Sequence, residues 1–442
     1  MRFQRKILVV AMALAMPWMS ANAQSAADLK KEIETLKAQL QMLTQKVEAM
    51  GAQAGNVELV QQVNRLEQKQ ELAADDQEKS GFKGLKVNGV IEAVFSHDDL
   101  ARSNNFNATS GSGMGEFGMV QITKESQDGE GVDWTLRLLP GNTTSIVHEA
   151  SISIPLNKEN RVIGGLIPDY QGYEFVFANA NPILGNQLIS HNALFDVAGP
   201  TSYAGLGMSH TFANGMYALK WIVGNIDPGY DVDTSNPAVP PMPRTLGFAA
   251  RGDWFMNEFS YVGLSLAHGA ENRNFDVMAI DGGYTHGDWA FNGQLSSGTQ
   301  RNAAANGEDA AWTGLSGLVS YRVVPRLQLL ARADYISNQK NGGGTYAYNG
   351  ASGSASLQGA DTYSSGLGLG PELDSTGNVV DPNAGANLTR ITLGTNYQIN
   401  ANTQWKTEYR IDQSSGYNFL DSDGVTYKKS KTAVAVSLLV SF

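Results

Sequence analysis

Within the segment 403–414 of this 442-residue chain, charged side chains occur at every second position from 406 to 412. The charged positions are Lys406, Glu408, Arg410 and Asp412. The positions between them are Trp405, Thr407, Tyr409 and Ile411. Because successive side chains of a β-strand point to opposite faces, this spacing predicts a strand with one ionic and one largely apolar face. An ionic face can order water and act on dissolved ions, or its charges can neutralise one another as pairs.

The residues that could support catalysis or metal binding form no recognisable motif. The sequence lacks a nucleophile elbow and a nucleotide-binding glycine loop. Asp421-Ser422-Asp423-Gly424 is a fragment of a calcium-loop pattern, for which an ordinary turn is the better interpretation. No metal-ligand spacing exists among the six histidines, which are His97, His148, His191, His210, His268 and His286. We therefore expect no enzymatic activity, no cofactor and no bound metal.

The composition and the N-terminus indicate an exported protein. The formal net charge of −11 argues against a nucleic-acid partner, and the absence of cysteine excludes disulfides. Arg2, Arg5 and Lys6 precede an apolar run at 7–19, and the small-residue site at 21–23 follows it. This order predicts a signal peptide over residues 1–23, with a short membrane anchor as the alternative.

Residues 24–80 carry a helical pattern. Their apolar positions are spaced by alternating steps of four and three over about three heptads, which predicts a short periplasmic coiled coil. The predicted seam consists of Leu29, Ile33, Leu36, Leu40, Leu43, Val47 and Met50. A single amphipathic helix lying on the rest of the protein is the alternative, and the pattern does not fix the number of associating chains.

From residue 81 onward the chain divides into alternating segments of about ten residues, the length of a tilted membrane-spanning strand. Short connections alternate with long ones, as periplasmic turns and external loops do in an antiparallel barrel. The last segment ends in Phe442 and has one apolar and one small-residue face. We therefore expect an all-β fold, an antiparallel transmembrane β-barrel of about sixteen strands over 81–442, with about fourteen or eighteen as alternatives. The segments are roughly 84–96, 114–125, 132–139, 145–155, 160–168, 202–212, 216–226, 245–255, 259–269, 275–285, 288–298, 311–322, 326–338, 387–398, 403–414 and 428–442.

The ionic face of these segments is expected to face the lumen, since Lys or Arg facing lipid at mid-bilayer costs about 2–4 kcal/mol. In-wall pairing, for example of Arg251 with Asp253, is the alternative to a transverse field across the lumen. The predicted pore-lining residues are Arg137, Glu149, Lys220, Arg251, Asp253, Arg332, Asp334, Arg390, Lys406, Glu408, Arg410 and Asp412. The candidates for interfacial aromatic girdles are Trp134, Trp221, Trp254, Trp289, Tyr397, Trp405 and Phe442.

The signal, the barrel pattern and the terminal Phe442 together resemble the general diffusion porins of Gram-negative outer membranes. The helical prefix resembles porins that carry a periplasmic coiled coil. Three stretches, GFKGLKV (81–87), SIVHEAS (145–151) and IPDYQGYE (167–174), resemble an uncharacterised family of predicted proteobacterial outer-membrane proteins. The resemblance implies passive diffusion of small hydrophilic solutes, Phe442 as an assembly signal, and contact with membrane lipid and lipopolysaccharide. It also implies a homo-oligomer, for which a trimer is one possible form.

In general porins the third external loop folds into the barrel, and the third external connection here is 169–201. Its apolar residues, among them Leu188, Ile189 and Leu194, are not expected on an exposed loop. The resemblance therefore implies a constriction loop, and packing at a subunit interface is the alternative. The constriction candidates are Asp169, Tyr170, Tyr173 and Glu174. Two other functions stay open: a tether to peptidoglycan or a periplasmic partner through the coiled coil, and a substrate-specific channel.

Overall fold

Sixteen antiparallel strands form one closed barrel in the computed structural model, in which consecutive strands pair and β1 pairs with β16. The structure describes residues 84–100, 104–107, 118–126, 131–138, 147–168, 170–174, 187–198, 202–226, 246–269, 275–301, 304, 306–343 and 367–442. The strands are β1 (Leu85–Asp98), β2 (Met119–Lys124), β3 (Asp133–Leu138), β4 (Val147–Pro155), β5 (Asn160–Pro168), β6 (Ser202–Phe212), β7 (Tyr217–Asn225), β8 (Gly247–Phe255), β9 (Ser260–Gly269), β10 (Phe275–His286), β11 (Trp289–Gln300), β12 (Ala310–Val324), β13 (Leu327–Ser337), β14 (Leu388–Asn400), β15 (Thr403–Ser414) and β16 (Ser430–Ser441). Each overlaps its predicted segment, so the predicted sixteen-stranded barrel is confirmed.

The barrel closes where the first strand meets the last. The register of β1 against β16 runs from Val90 opposite Ser441 to Asp98 opposite Ala433. One residue beyond the end of β16, the Phe442 N–H donates to the Gly89 carbonyl at 3.0 Å, and the Gly89 N–H donates to the Phe442 carbonyl at 2.9 Å. The closing contact therefore extends to the last residue of the chain.

The other edge of β1 is shared by two pieces of chain. The strand β2 pairs with the first residues of β1, from Leu85 to Val90. A separate four-residue strand, Asn104–Asn107, pairs with Val94 to His97 further along β1. The sequence pattern did not predict this short strand.

The faces of the wall follow the period-two rule. On β15, Trp405 and Tyr409 are 41% and 43% exposed, whereas Glu408 and Arg410 are 2% and 0% exposed. Aromatic side chains gather beside the short turns, where the ring centres of Trp289 and Tyr321 lie 4.5 Å apart. Apolar side chains thus cover the outer surface, as a barrel facing lipid requires.

Two small hairpins in the long connections were not predicted. One joins Pro371–Leu373 to Val379–Gly385, and the other joins Phe419–Leu420 to Tyr427–Lys428. In the first, the N–H of Asn378 and the neighbouring hydrogen bonds hold the pKa of Asp374 below its ordinary value. Three of these four strands have only two or three residues, too few to leave a periodic signal in the sequence.

Helix is scarce in the described residues. Apart from one 3₁₀ turn over Ala213–Gly215, it comprises the six-residue helix α1, Ala193–Ala198. No described helix has the length and apolarity needed to cross a membrane. The predicted signal peptide (1–23) and the coiled-coil segment (24–80), with its seam residues, lie outside the described residues.

An apolar cluster lies inside the barrel at the strand ends that lead into the long connections. Inward-facing wall residues such as Ile222, Trp312 and Ile336 belong to it. They pack with residues of the connections, including Leu194 and Phe419, neither of which has exposed surface. The connections therefore do not all project away from the barrel, and part of the connection between β5 and β6 lies inside it.

Candidate solute pathway and its inner loop

The twelve residues predicted to line the lumen lie on the inner face of the wall. Eleven of them are buried, and Lys220 is half-buried. They fall into two groups around the barrel. One group lies on β3, β4, β7 and β8, and includes Arg137 and Arg251. The other lies on β13, β14 and β15, and includes Arg332 and Arg410.

The five predicted pore-lining arginines of the inner wall form ion pairs with acids of the wall itself. Arg137 Nη2 lies 2.8 Å from Glu149 Oε2 on the adjacent strand. On β15 and β14, Arg410 and Arg390 lie 3.0 Å and 2.8 Å from Asp412. In-wall pairing, which the sequence left as an alternative to a transverse field, is therefore present on both sides of the barrel.

The arginine of β8 joins the wall to the first part of the loop that follows β5. Arg251 Nη2 lies 2.7 Å from Asp253 and 2.8 Å from Asp281 on β10. Its Nη1 donates hydrogen bonds to the carbonyl oxygens of Tyr170 at 3.0 Å and Gly172 at 3.3 Å. Residues 170–172 are consequently fixed against the inner face of β8.

The same loop then contacts the opposite side of the barrel. The Tyr173 hydroxyl lies 2.7 Å from Ser316 Oγ on β12, and Glu174 lies 2.9 Å from Arg332 on β13. The strand β13 is eight places from β5 in a ring of sixteen, so it lies across the lumen from the strand where the loop begins. This chain segment spans the interior from one wall to the other.

Acidic residues of the wall hold the returning part of the loop by its backbone. Glu408 accepts hydrogen bonds from the N–H groups of Ile189 at 2.8 Å and Ser190 at 2.9 Å, and from the Ser190 hydroxyl. Asp334 accepts from the Ala193 N–H at 3.1 Å. Backbone N–H groups that would otherwise be buried without partners are thereby satisfied.

Two arginines complete this anchorage. Arg332 donates to the carbonyl oxygens of Ser190 at 2.9 Å and His191 at 2.6 Å. Arg390 forms an ion pair with Asp196 of α1 at 2.8 Å. The wall residues thus contact the loop through both its carbonyl groups and its carboxylates. These contacts hold residues 187–196 against the inner wall, and they pair the charged side chains that take part.

Local sequence accounts for the shape of this segment. The Asn192 side chain accepts a hydrogen bond from the Phe195 N–H at 2.8 Å, which caps the start of α1. A Cβ atom at Gly314 or Gly394 would lie 2.3 or 2.4 Å from the side chains of Leu194 or Leu188. These wall glycines therefore let two apolar loop residues approach the sheet.

Burial changes the acid–base properties of the loop. It raises the pKa of Glu174 to about 7, although Arg332 and the Asn192 N–H favour the charged form. Burial also raises the pKa of Tyr173 well above its ordinary value. The protonation of the Glu174 carboxyl can consequently change near neutral pH.

The structure describes three of the four constriction candidates: Tyr170, Tyr173 and Glu174 are buried inside the barrel, and Asp169 is not among the described residues. The sequence did not single out Asp281, although it faces Arg251. The sequence signal that could have identified Asp281 is a single acidic residue at an inward-facing position of β10. Within the described ranges, no group of three or more His, Asp or Glu residues could hold a metal ion.

Comparisons with known proteins agree with this architecture. A family model described as "Putative beta-barrel porin-2, OmpL-like" matches residues 84–442. No curated protein sequence matches the chain. Similar solved structures include an anion-selective porin from Comamonas acidovorans, with 11% identity, a TM-score of 0.52, and coverage of 81% of this chain and 99% of that one. Salmonella typhi OmpF in complex with daunomycin has 11% identity, a TM-score of 0.51, and coverage of 81% and 97%.

These structural similarities show a shared fold, whereas the family model covers the whole described barrel. The closed barrel of sixteen strands agrees with the β-barrel that the family's description names. The chain belongs to this family of β-barrel porins and is an outer-membrane porin.

Proposed function

We propose that the protein is a passive diffusion channel for small hydrophilic solutes, narrowed by the loop 169–201. The observation that carries the proposal is the course of that loop across the barrel interior. Arg251 fixes its first part to β8, and Arg332 with Glu408 fixes its returning part to the opposite wall. A chain segment held across a lumen reduces the cross-section open to solutes, as constrictions do in other channels.

The paired charges of the inner wall bear on which solutes pass. Arg137, Arg251, Arg332 and Arg390 each lie within ion-pair distance of an acid. Opposite charges in contact produce a weaker field at a distance than separated charges do. We therefore propose a channel with weak ion selectivity, in which the predicted pore-lining residues hold the lumen polar and fix the loop.

Single-channel recording tests this proposal. The refolded protein is inserted into planar bilayers, and the reversal potential is measured in a salt gradient. We expect stepwise ohmic openings and a reversal potential near zero. Protein whose folding is verified by resistance to unfolding in cold detergent, but which gives no openings, would contradict a diffusion channel. A large reversal potential would contradict the weak ion selectivity but would still support a diffusion channel.

The two segments before the barrel complete the proposal. We infer that residues 1–23 direct export and that residues 24–80 form a periplasmic coiled coil that associates barrels into an oligomer. The supporting observations are the sequence patterns of the two segments, with their charged start and heptad spacing. Attachment to peptidoglycan would be a second role of the same segment.

A further inference from the structure

The loop covers the two sides of the barrel interior unequally. Its returning part lies against β12 and β13, where Leu188 packs with Leu318 and Leu330 in one buried cluster. On the same side, the inward-facing side chains of Ser320 on β12 and Asn396 on β14 are only 1% and 5% exposed. At the depth of Leu188, this wall therefore leaves almost no surface that a solute could contact.

On the other side of the interior, polar side chains that face inward keep accessible surface. The facing follows from the strand period: Ile152 and Ile154 on β4 and Leu206 on β6 are exposed on the outer surface, so the alternate positions point inward. Six such inward-facing residues near the short turns of β3 to β7 are half-buried rather than buried. They form the β3–β7 strip, which consists of Asp133, Thr135, Ser153, Arg161, Ser209 and Lys220.

The β3–β7 strip is continuous because its residues are cross-strand neighbours. Asp133 lies opposite Ser153 in the register of β3 with β4. Ser209 of β6 lies opposite Arg161 on one side and Lys220 on the other. Arg161 also donates from Nε to Ser153 Oγ at 2.6 Å and forms an ion pair with Asp133 at 2.6 Å. Polar groups of five neighbouring strands thus form one accessible surface on the inner wall.

Lys220 stands out among the charged residues that the sequence placed in the lumen. It is half-buried, whereas the other eleven predicted pore-lining residues are buried. Its Nζ lies 4.9 Å from the centre of the ring of Tyr170, in the first part of the loop, so it lies beside the segment that narrows the lumen. Since the energy between two charges falls with their separation, the charge that ions can approach most closely acts on them most strongly.

We propose that solutes pass the loop along the β3–β7 strip, and that Lys220 is the residue of this strip on which ion selectivity depends most. The inference rests on the proposed channel and adds the side of the lumen through which its solutes move. The hydroxyl groups of Thr135, Ser153 and Ser209 can donate to and accept from a passing solute or its water. The buried arginines of β13 to β15 then hold the loop rather than contact solutes.

Single cysteines test the route, because the chain contains no cysteine of its own. Thr135→Cys and Ser209→Cys each place one thiol on the β3–β7 strip. Ser320→Cys is the matched control: Ser320 also faces inward and lies close to the short-turn end of its strand at Val324, as Ser209 does to the end of β6 at Phe212. We expect a negatively charged methanethiosulfonate reagent to change the single-channel current of both strip variants and to leave the current of Ser320→Cys unchanged.

Mass spectrometry of the same variants in detergent separates the route from the channel itself. The reagent should modify the folded strip variants but not folded Ser320→Cys, and it should modify all three after thermal unfolding, which verifies that each thiol is reactive. Modification of the folded strip variants alone supports an open β3–β7 strip even if no conductance is found. Equal modification of all three folded variants, or modification of Ser320→Cys alone, would overturn the proposed route.

Lys220→Glu tests the dependence of selectivity on this residue through the reversal potential in a potassium chloride gradient. Replacing a cation of the strip by an anion should raise the cation-to-anion permeability ratio about twofold or more, and Lys220→Gln should give an intermediate ratio. Arg322→Glu is the matched control, since it makes the same change of charge at an exposed residue of β12 outside the strip. Equal shifts in Lys220→Glu and Arg322→Glu would overturn the role of Lys220.

Discussion

At the scale of single residues, some of the buried arginines that pair within the inner wall also hold the loop. Arg332 contacts Glu174, Asp334 and two loop carbonyl groups, and its side chain has no exposed surface. Taking such charges out of water is costly, and the contacts repay that cost only while every partner is present. The strength of loop anchorage therefore depends on a few side chains whose removal leaves an opposite charge buried.

Arg332→Met tests this dependence. The change leaves Glu174 and Asp334 buried without their cation, and we expect loop anchorage to weaken by about 3–5 kcal/mol. A loosened loop should raise single-channel conductance and lower hydrogen-exchange protection in residues 187–198. Arg322→Met is the matched control: that arginine is exposed and lies 4.0 Å from Asp288, so its loss should change stability by about 1 kcal/mol or less. Unchanged conductance and protection in Arg332→Met would contradict the anchoring role.

Glu174 makes the same anchorage dependent on pH. Burial raises the pKa of this carboxyl to about 7 when the loop is docked, against 4.5 for an ordinary glutamate. Between those values the docked loop binds more protons than the released loop, so docking weakens as pH rises from about 4.5 to about 7. We expect amides of 187–198 to exchange faster at pH 8 than at pH 5 after correction for intrinsic rates.

Two variants isolate this carboxyl. Glu174→Gln should remove most of the pH dependence of exchange in 187–198. Glu159→Gln changes an exposed glutamate in the turn after β4 and should leave the dependence as it is in the parent protein. An identical pH profile in Glu174→Gln and the parent protein would show that another group is responsible.

At the scale of elements, the strands could be predicted from the sequence because period-two alternation is a local property. Tyr409 and Arg410 are adjacent in the sequence, so on a strand their side chains point to opposite faces of the wall. The partners of the loop could not be predicted, since Glu174 and Arg332 are 158 positions apart and no local pattern links them. Asp281 was missed for a related reason: its strand has no second inward charge to mark the ionic face.

The pairing of β1 with β16 places the ring of Phe442 against Gly89, which has no side chain. A Cβ atom at Gly89 would lie 2.3 Å from the ring of Phe442, which packs over the backbone of β1. Gly89→Val should therefore displace the terminal ring and weaken the pairing of β1 with β16. We expect a lower yield of refolded barrel, measured by the fraction that resists unfolding in cold detergent on a gel.

Gly317→Val is the matched control for this prediction. Gly317 lies within β12, and an added Cβ there would have no atom within 4 Å. Both changes add the same side chain to a strand, so a difference between them reports the contact with Phe442 rather than strand propensity. Equal yields for the two variants would contradict a role for the Gly89–Phe442 contact in closure.

At the scale of the whole molecule, the strand pairing that closes the described part of the barrel is formed by residues from 85 onward. The first wall strand begins at Leu85, and its two neighbours are β16 and the paired pieces that include β2. The seam residues Leu36 and Leu43 precede this region, so the proposed association of chains and the proposed channel can be separated by mutation. A variant that keeps residues 1–23 but lacks residues 24–80 should still show stepwise single-channel conductance.

The same deletion should abolish association between barrels, measured as a shift from oligomer to monomer in native electrophoresis and light scattering. Two full-length variants refine the test. Leu36→Lys together with Leu43→Lys places charges in the predicted seam and should reproduce the monomer, because buried seam positions require apolar contacts. Lys37→Glu, outside the seam, should keep the oligomer. An oligomer that survives the deletion would assign association to the outer wall of the barrel, and loss of conductance by folded monomer would show that the channel needs the segment before β1.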